Sequence, residues 1–241
     1  MLRLPIIQGV IDRRLLVNFR SDPHALRRLL PAPFRPKLVG GYGIAGVCLI
    51  RLRQIRPRGF PVLLGVGSEN AAHRIAVEWT DEAGAVREGV FISRRDSSSR
   101  LNHLLGGRLF PGVHHHARFD VHEANGQLSV AFTSDDGSTR VCVEGRAVET
   151  LPPGSVFRSV QQASEFFRGG SIGFSPRWGE GLDGLELRTQ DWVVAPLEVS
   201  TVESSFFDDR SLFPAGSATF DNALLMRDII HEWHAHAAPV G

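Results

Sequence analysis

A chain of 241 residues is long enough to bury a core without disulfide or metal staples. Hydrophobic residues at 42% and charged residues at 22% exclude intrinsic disorder. A net charge of +1, from 27 basic and 26 acidic residues, gives no electrostatic case for a nucleic-acid partner.

Apolar runs break well short of the ~18 residues that a membrane helix needs. The start, Met-Leu-Arg-Leu-Pro-Ile-Ile-Gln, lacks the layout of a signal peptide. The expectation is a cytoplasmic protein with no membrane partner. Cys48 and Cys142 each sit in a strand-like apolar run and are expected as free, buried thiols. Lys37 is the only lysine, so chemistry needing an amine must use it or the N-terminus.

In chain order, residues 21–31 predict a helix: Ser21 or Asp22 caps it, Pro23 suits its first turn, and Pro31 stops it. Residues 40–55 predict a strand, and 70–80 with 85–94 a hairpin about Asp81-Glu82-Ala83-Gly84. A short helix is expected at 97–107. Strands follow at about 113–123, 127–134 and 138–149, turning at Asn125-Gly126 and Asp135-Asp136-Gly137. A capped helix fits 159–168, strands fit 184–190 and 192–204, and a last helix is expected from Asp221 to near His234. With no repeat and no linker, the chain reads as one domain over 1–241. Its class is β-rich α+β: antiparallel strands in a curved sheet or barrel, with helices outside.

P-loop, dinucleotide and nucleophile-elbow motifs are absent. On a strand, His114, His116, Arg118, Asp120 and His122 share one face, and His115, Ala117, Phe119 and Val121 the other. His115 therefore reads either as a hydrogen-bonded core histidine or as an acid/base in a cavity. His114 and His116 could share a metal, or form a solvated face. His231, His234 and His236 do not have the spacing of a zinc-protease motif. Among Glu69, Glu78, Glu88 and Glu165, Glu88 shares a face with Val86, Val90 and Ile92 and is expected to point inward, with Arg13, Arg20 or Arg74 as partner.

The run that opens at Asp12 carries a pattern in Arg20, Asp22, Ala25, Leu26, Pro31 and Pro33 that resembles the opening of the acetoacetate decarboxylase superfamily. Glu165-Phe166-Phe167-Arg168, Trp192 and the stretch 108–121 resemble segments of its DUF2071, or YqjF-like, branch. The resemblance spans roughly residues 10–205. It implies a cone-shaped antiparallel β-barrel with flanking helices and a central ligand cavity. It also implies Arg13, one position out of register, and Glu69 as pocket residues. The superfamily's Schiff-base lysine has no counterpart at 110–116, and Lys37 lies in another segment.

The expected site is thus His115 and Glu88 as acid–base groups, with Arg13, Glu69 and Arg74 binding a small organic acid or carbonyl compound. No cofactor or metal enters it, and a homo-oligomer is compatible with it. The competing readings are a metal enzyme built on His114 and His116, and a filled barrel acting only in structure or interaction.

Overall fold

The computed structural model describes residues 5–99, 112–177 and 179–239. Its elements are β1 (Ile7–Ser21), α1 (Pro23–Arg27), β2 (Arg35–Pro36), β3 (Leu38–Val39), β4 (Tyr42–Pro57), β5 (Val66–Thr80), β6 (Val86–Ser97), β7 (His114–Ala124), β8 (Gln127–Ser134) and β9 (Arg140–Ala147). They continue with α2 (Val160–Arg168), β10 (Ile172–Pro176), β11 (Leu182–Thr189), β12 (Ala195–Ser204), α3 (Ser205–Asp208) and β13 (Ala218–His236). Among the described residues no helix is long and apolar enough to cross a membrane.

The strands form one sheet whose order closes on itself twice. The path β11-β10-β6-β7-β8-β9-β12-β13-β1-β4-β5 is completed by β6–β5 and β11–β13 pairings. Two rings therefore share β13, β1, β4, β5 and β6. The sharing works because β6 and β13 each divide their partners along their length. Val90 and Phe91 pair with β10, and Arg95–Ser97 with β7. Ala223–Leu225 pair with β12, and His231–His236 with β11. Only the two β6 contacts are parallel; the rest of the sheet is antiparallel.

A strand shared by two rings buries both faces, which explains its composition. Leu15, Val17, Val47 and Leu49 pack with Val130, Phe132, Val141 and Val143 of the β7–β9 side. Leu16, Cys48 and Leu224 point the other way, against Phe157, Ala163 and Phe167 around α2. The same fact corrects the expected helix at Asp221–His234, which is the strand β13. Ala223, Leu224, Leu225 and Met226 are all buried, and a continuous apolar run lacks the alternation that marks a half-buried strand. The first helix is also shorter than expected, closing at Arg27 behind an Asp22 side-chain cap. Residues 172–176 form β10, an extra strand. Of the helix expected at 97–107, Ser97 ends β6 and most of the rest lies outside the described residues.

His73 of β5 sits opposite Val47, wholly buried, 4.9 Å from the Phe206 ring, with no partner on either ring nitrogen. Burial, helped by nearby Arg94, pulls its pKa from 6.5 down to about 3. Between those values the unfolded chain binds the proton and the folded chain does not. Stability is therefore complete above about pH 6.5 and falls as the pH drops. Between pH 7 and pH 5 this one residue should remove about 2 kcal/mol. Denaturant unfolding of His73→Leu at both pH values should show a drop smaller by about that amount. An unchanged drop contradicts the assignment.

Candidate functional site

A cavity of about 120 Å³ is walled by β1, β4, β5, β6, β11 and β13, with His114 and the Gly170–Gly173 approach to β10. An apolar cavity of that order takes up a molecule as large as benzene. Strand alternation sets its wall: Cys48, Ile50 and Leu52 from β4, and Asn70, Ala72 and Arg74 from β5. Ile92 and Arg95 from β6 share a face although three apart, because the pairing slips one residue between His73 and Arg74. Ile11 and Arg14 share a face by a similar slip between Ile11 and Arg13.

Three arginines line this space. Arg74 is 4% exposed; its Nη2 donates to Asn18 Oδ1 at 2.5 Å, its Nε has no partner, and its guanidinium lies 5.0 Å from the Phe167 ring centre. Burial, only partly offset by Cys48, pulls its pKa down to about 10. Arg14 donates from Nε to Cys48 Sγ at 3.3 Å, lies 5.5 Å from the Trp192 ring centre, and leaves Nη1 buried without a partner. Arg95 donates to Ser175 Oγ at 3.1 Å; burial, partly offset by Cys48 and Asp183, pulls its pKa down to about 10. Both lowered arginines remain protonated at neutral pH.

No carboxylate among the described residues lies within 4 Å of these three groups. Asp96, the acidic group on the wall, is held by Arg94 through three contacts of 2.9–3.2 Å. His114 places Nδ1 3.2 Å from the Gly112 carbonyl. A carbonyl accepts, so Nδ1 carries the hydrogen there, and in the neutral ring Nε2 is the basic nitrogen.

The expected site residues fall in three places. Arg74 is on the cavity wall. Arg13 and Glu69 meet at 2.6 Å, but on the opposite faces of β1 and β5 from Arg14 and Asn70. There they join Glu123, Arg51 and Arg227 in an ionic cluster that is buried at Arg13 and opens to solvent at Arg227. His115 faces with Ala117 towards the other core and reaches Asp136 at 3.3 Å, its side chain 37% exposed. Glu88 shares the face of Val90 and Ile92 as expected, but near the start of β6, beside Gly169, where it pairs with Lys37 at 2.6 Å and is 42% exposed; that exposure spares it the desolvation that a buried carboxylate would meet. His114 is the sequence's alternative to His115 for an inward face, and Arg14, Arg95 and Cys48 are wall residues that the sequence reading does not single out. Among the described residues, no three His, Cys, Asp or Glu side chains are grouped to hold a metal.

The model of a family of uncharacterized conserved proteins, DUF2071, matches residues 10–220. The chain belongs to the DUF2071 family. No curated protein matches it. Among solved structures, an acetoacetate decarboxylase-like enzyme from Sphingomonas wittichii RW1 superposes with a TM-score of 0.65 at 14% identity, covering 100% of this chain and 94% of the other. Acetoacetate decarboxylase from Legionella pneumophila gives 0.63 at 10% identity, covering 99% and 88%. The enduracididine biosynthesis enzyme MppR complexed with pyruvate gives 0.61 at 11%, covering 98% and 90%. At these identities the likeness concerns the fold alone. This DUF2071 chain has the β-rich, acetoacetate decarboxylase-like fold that its sequence resembles.

Proposed function

We propose that this DUF2071 protein binds a small organic acid or carbonyl compound in the cavity, holding a carboxylate on Arg14 and Arg74. The observation that carries this reading is the unpaired Arg74 Nε, buried at the cavity wall with no carboxylate of the described residues within 4 Å. A buried cation left without a counter-charge is costly, and a ligand carboxylate supplies one with paired hydrogen bonds. A neighbour in fold that was solved with pyruvate is consistent with a ligand of this class. His114 is the wall group suited to moving a proton at neutral pH.

Schiff-base decarboxylation does not fit the residues. Lys37 Nζ donates to Glu88 Oε2 at 2.6 Å and lies 4.3 Å from the centre of the Phe166 ring, in a recess beyond Arg14 and Arg74. The amine is thus engaged by Glu88 and stands off the cavity wall, whereas imine formation needs an amine that reaches the substrate carbonyl. Borohydride treatment with a β-keto acid should leave the protein without added mass; a stable adduct on Lys37 contradicts this.

Titration calorimetry with pyruvate and 2-oxobutyrate tests the binding. Arg74→Gln should weaken the acids tenfold or more, since a charged hydrogen bond contributes about 1.5–3 kcal/mol. Equal binding by the variant, or no binding by the parent protein, overturns the reading.

A further inference from the structure

We propose that the cavity's ligand is a short dicarboxylate, a step that rests on the acid-binding reading above. The charge count leads there. Arg14, Arg74 and Arg95 all face one cavity of about 120 Å³, and none has a carboxylate of the described protein within 4 Å. The wall's own carboxylate, Asp96, is already held by Arg94. Asp183 is near enough to Arg95 to act on it electrostatically, and its Oδ2 accepts from the Gly112 N–H at 3.2 Å. One carboxylate held by Arg14 and Arg74 leaves Arg95, whose nearest acid Asp183 stays beyond ion-pair distance, without a paired anion, and a second carboxylate supplies it.

The cations also fall into two groups. Arg14 and Arg74 gather at Cys48, where Arg14 Nε contacts Sγ and both lie along the recess towards Lys37. Arg95, which Cys48 also reaches electrostatically, is anchored on Ser175 of β10 and pairs in register with His114 on one side and Ala72 on the other. Ala72 is two residues along β5 from Arg74, about 7 Å at strand rise. Two carboxylates on a chain of four or five carbons suit that separation. The cavity wall also carries Ile11, Ile50, Leu52 and Ile92, which favours a carbon skeleton over an inorganic anion.

The test is titration of the intact protein at pH 7 with succinate and glutarate against butyrate and pentanoate, and with inorganic phosphate. The diacids should bind at least tenfold tighter than the monoacids. Arg95→Gln should bring the diacids down to parity with the monoacids, and Arg95→Lys should restore part of the difference. Parity in the parent protein overturns the dicarboxylate inference and leaves the acid-binding reading standing. Phosphate binding as tightly as succinate overturns it in favour of a compact anion. Binding of no anion at all removes both together.

Discussion

Arg13→Met should destabilise the fold by about 3 kcal/mol while leaving the cavity intact. Arg13 has no exposed surface, and its two Nη atoms donate to Glu69 and Glu123 at 2.6 and 2.7 Å. The pairs join β1 to β5 and to the far end of β7, so one side chain braces the ring that contains β7. Its removal leaves two half-buried carboxylates facing a methionine. The cost stays near the lower end of the usual range for breaking a buried pair, because Arg51 still reaches both carboxylates and Arg227 reaches Glu123. Burial pushes Glu123 up, but the Arg13 and Arg227 hydrogen bonds outweigh it and hold its carboxyl below the usual range. That part of the stability is present above the ordinary carboxylate value and fades as pH falls through the lowered one. Arg13→Met should therefore also flatten the acid side of the stability curve. Urea unfolding from pH 7 to pH 3 checks both points, and a loss below 1 kcal/mol contradicts the role given to the cluster.

Iodoacetate should alkylate Cys48 about 10–100-fold faster, relative to iodoacetamide, than it alkylates a free thiol. The two reagents differ in a carboxylate. Their ratio at one sulfur cancels the fraction of that sulfur present as thiolate, so it reads the field alone. Cys48 Sγ lies 3.3 Å from Arg14 Nε and shares the wall with Arg74 and Arg95. A unit charge about 6 Å from one guanidinium gains roughly 2–3 kcal/mol at an effective dielectric of 20, which sets the range. Cys142 is the control within the same chain. Burial and the neighbouring Glu144 and Glu203 push its thiol up, and those carboxylates should repel iodoacetate. Mass spectrometry of the two labelled peptides gives both ratios at once. Arg74→Gln should lower the Cys48 ratio and leave that of Cys142. Equal ratios at the two sites, or a Cys48 that neither reagent reaches, contradicts an open, cation-lined cavity.

Much of the sheet was legible wherever a strand has one wet face or a decisive turn. Asn125-Gly126, with φ of 53° and 77°, marks the β7–β8 hairpin in the sequence as clearly as in the fold. Strand β13 was illegible because Ala223–Met226 bury both faces, and a run of four apolar residues suits a helix equally well. The expected residues fall one position off the cavity wall at several points: Arg13 beside Arg14, Glu69 beside Asn70 and His115 beside His114. Parity along a strand decides which ring a side chain enters, and parity is what a single slipped residue reverses. The slips at Ile11/Arg13 and His73/Arg74 leave no mark in composition. Arg74 was reached because it was considered as a cation for an inward carboxylate, and the structure puts it inward without one.

Diffraction from crystals grown with an excess of 2-oxobutyrate tests the central claim most directly. The account predicts density for the acid inside the wall formed by Cys48, Ile50, Ala72 and Ile92, its carboxylate within 3.2 Å of the Arg74 guanidinium. Acid bound only outside that wall, or an Arg74 Nε that meets no ligand oxygen in a cavity holding the acid, would contradict it.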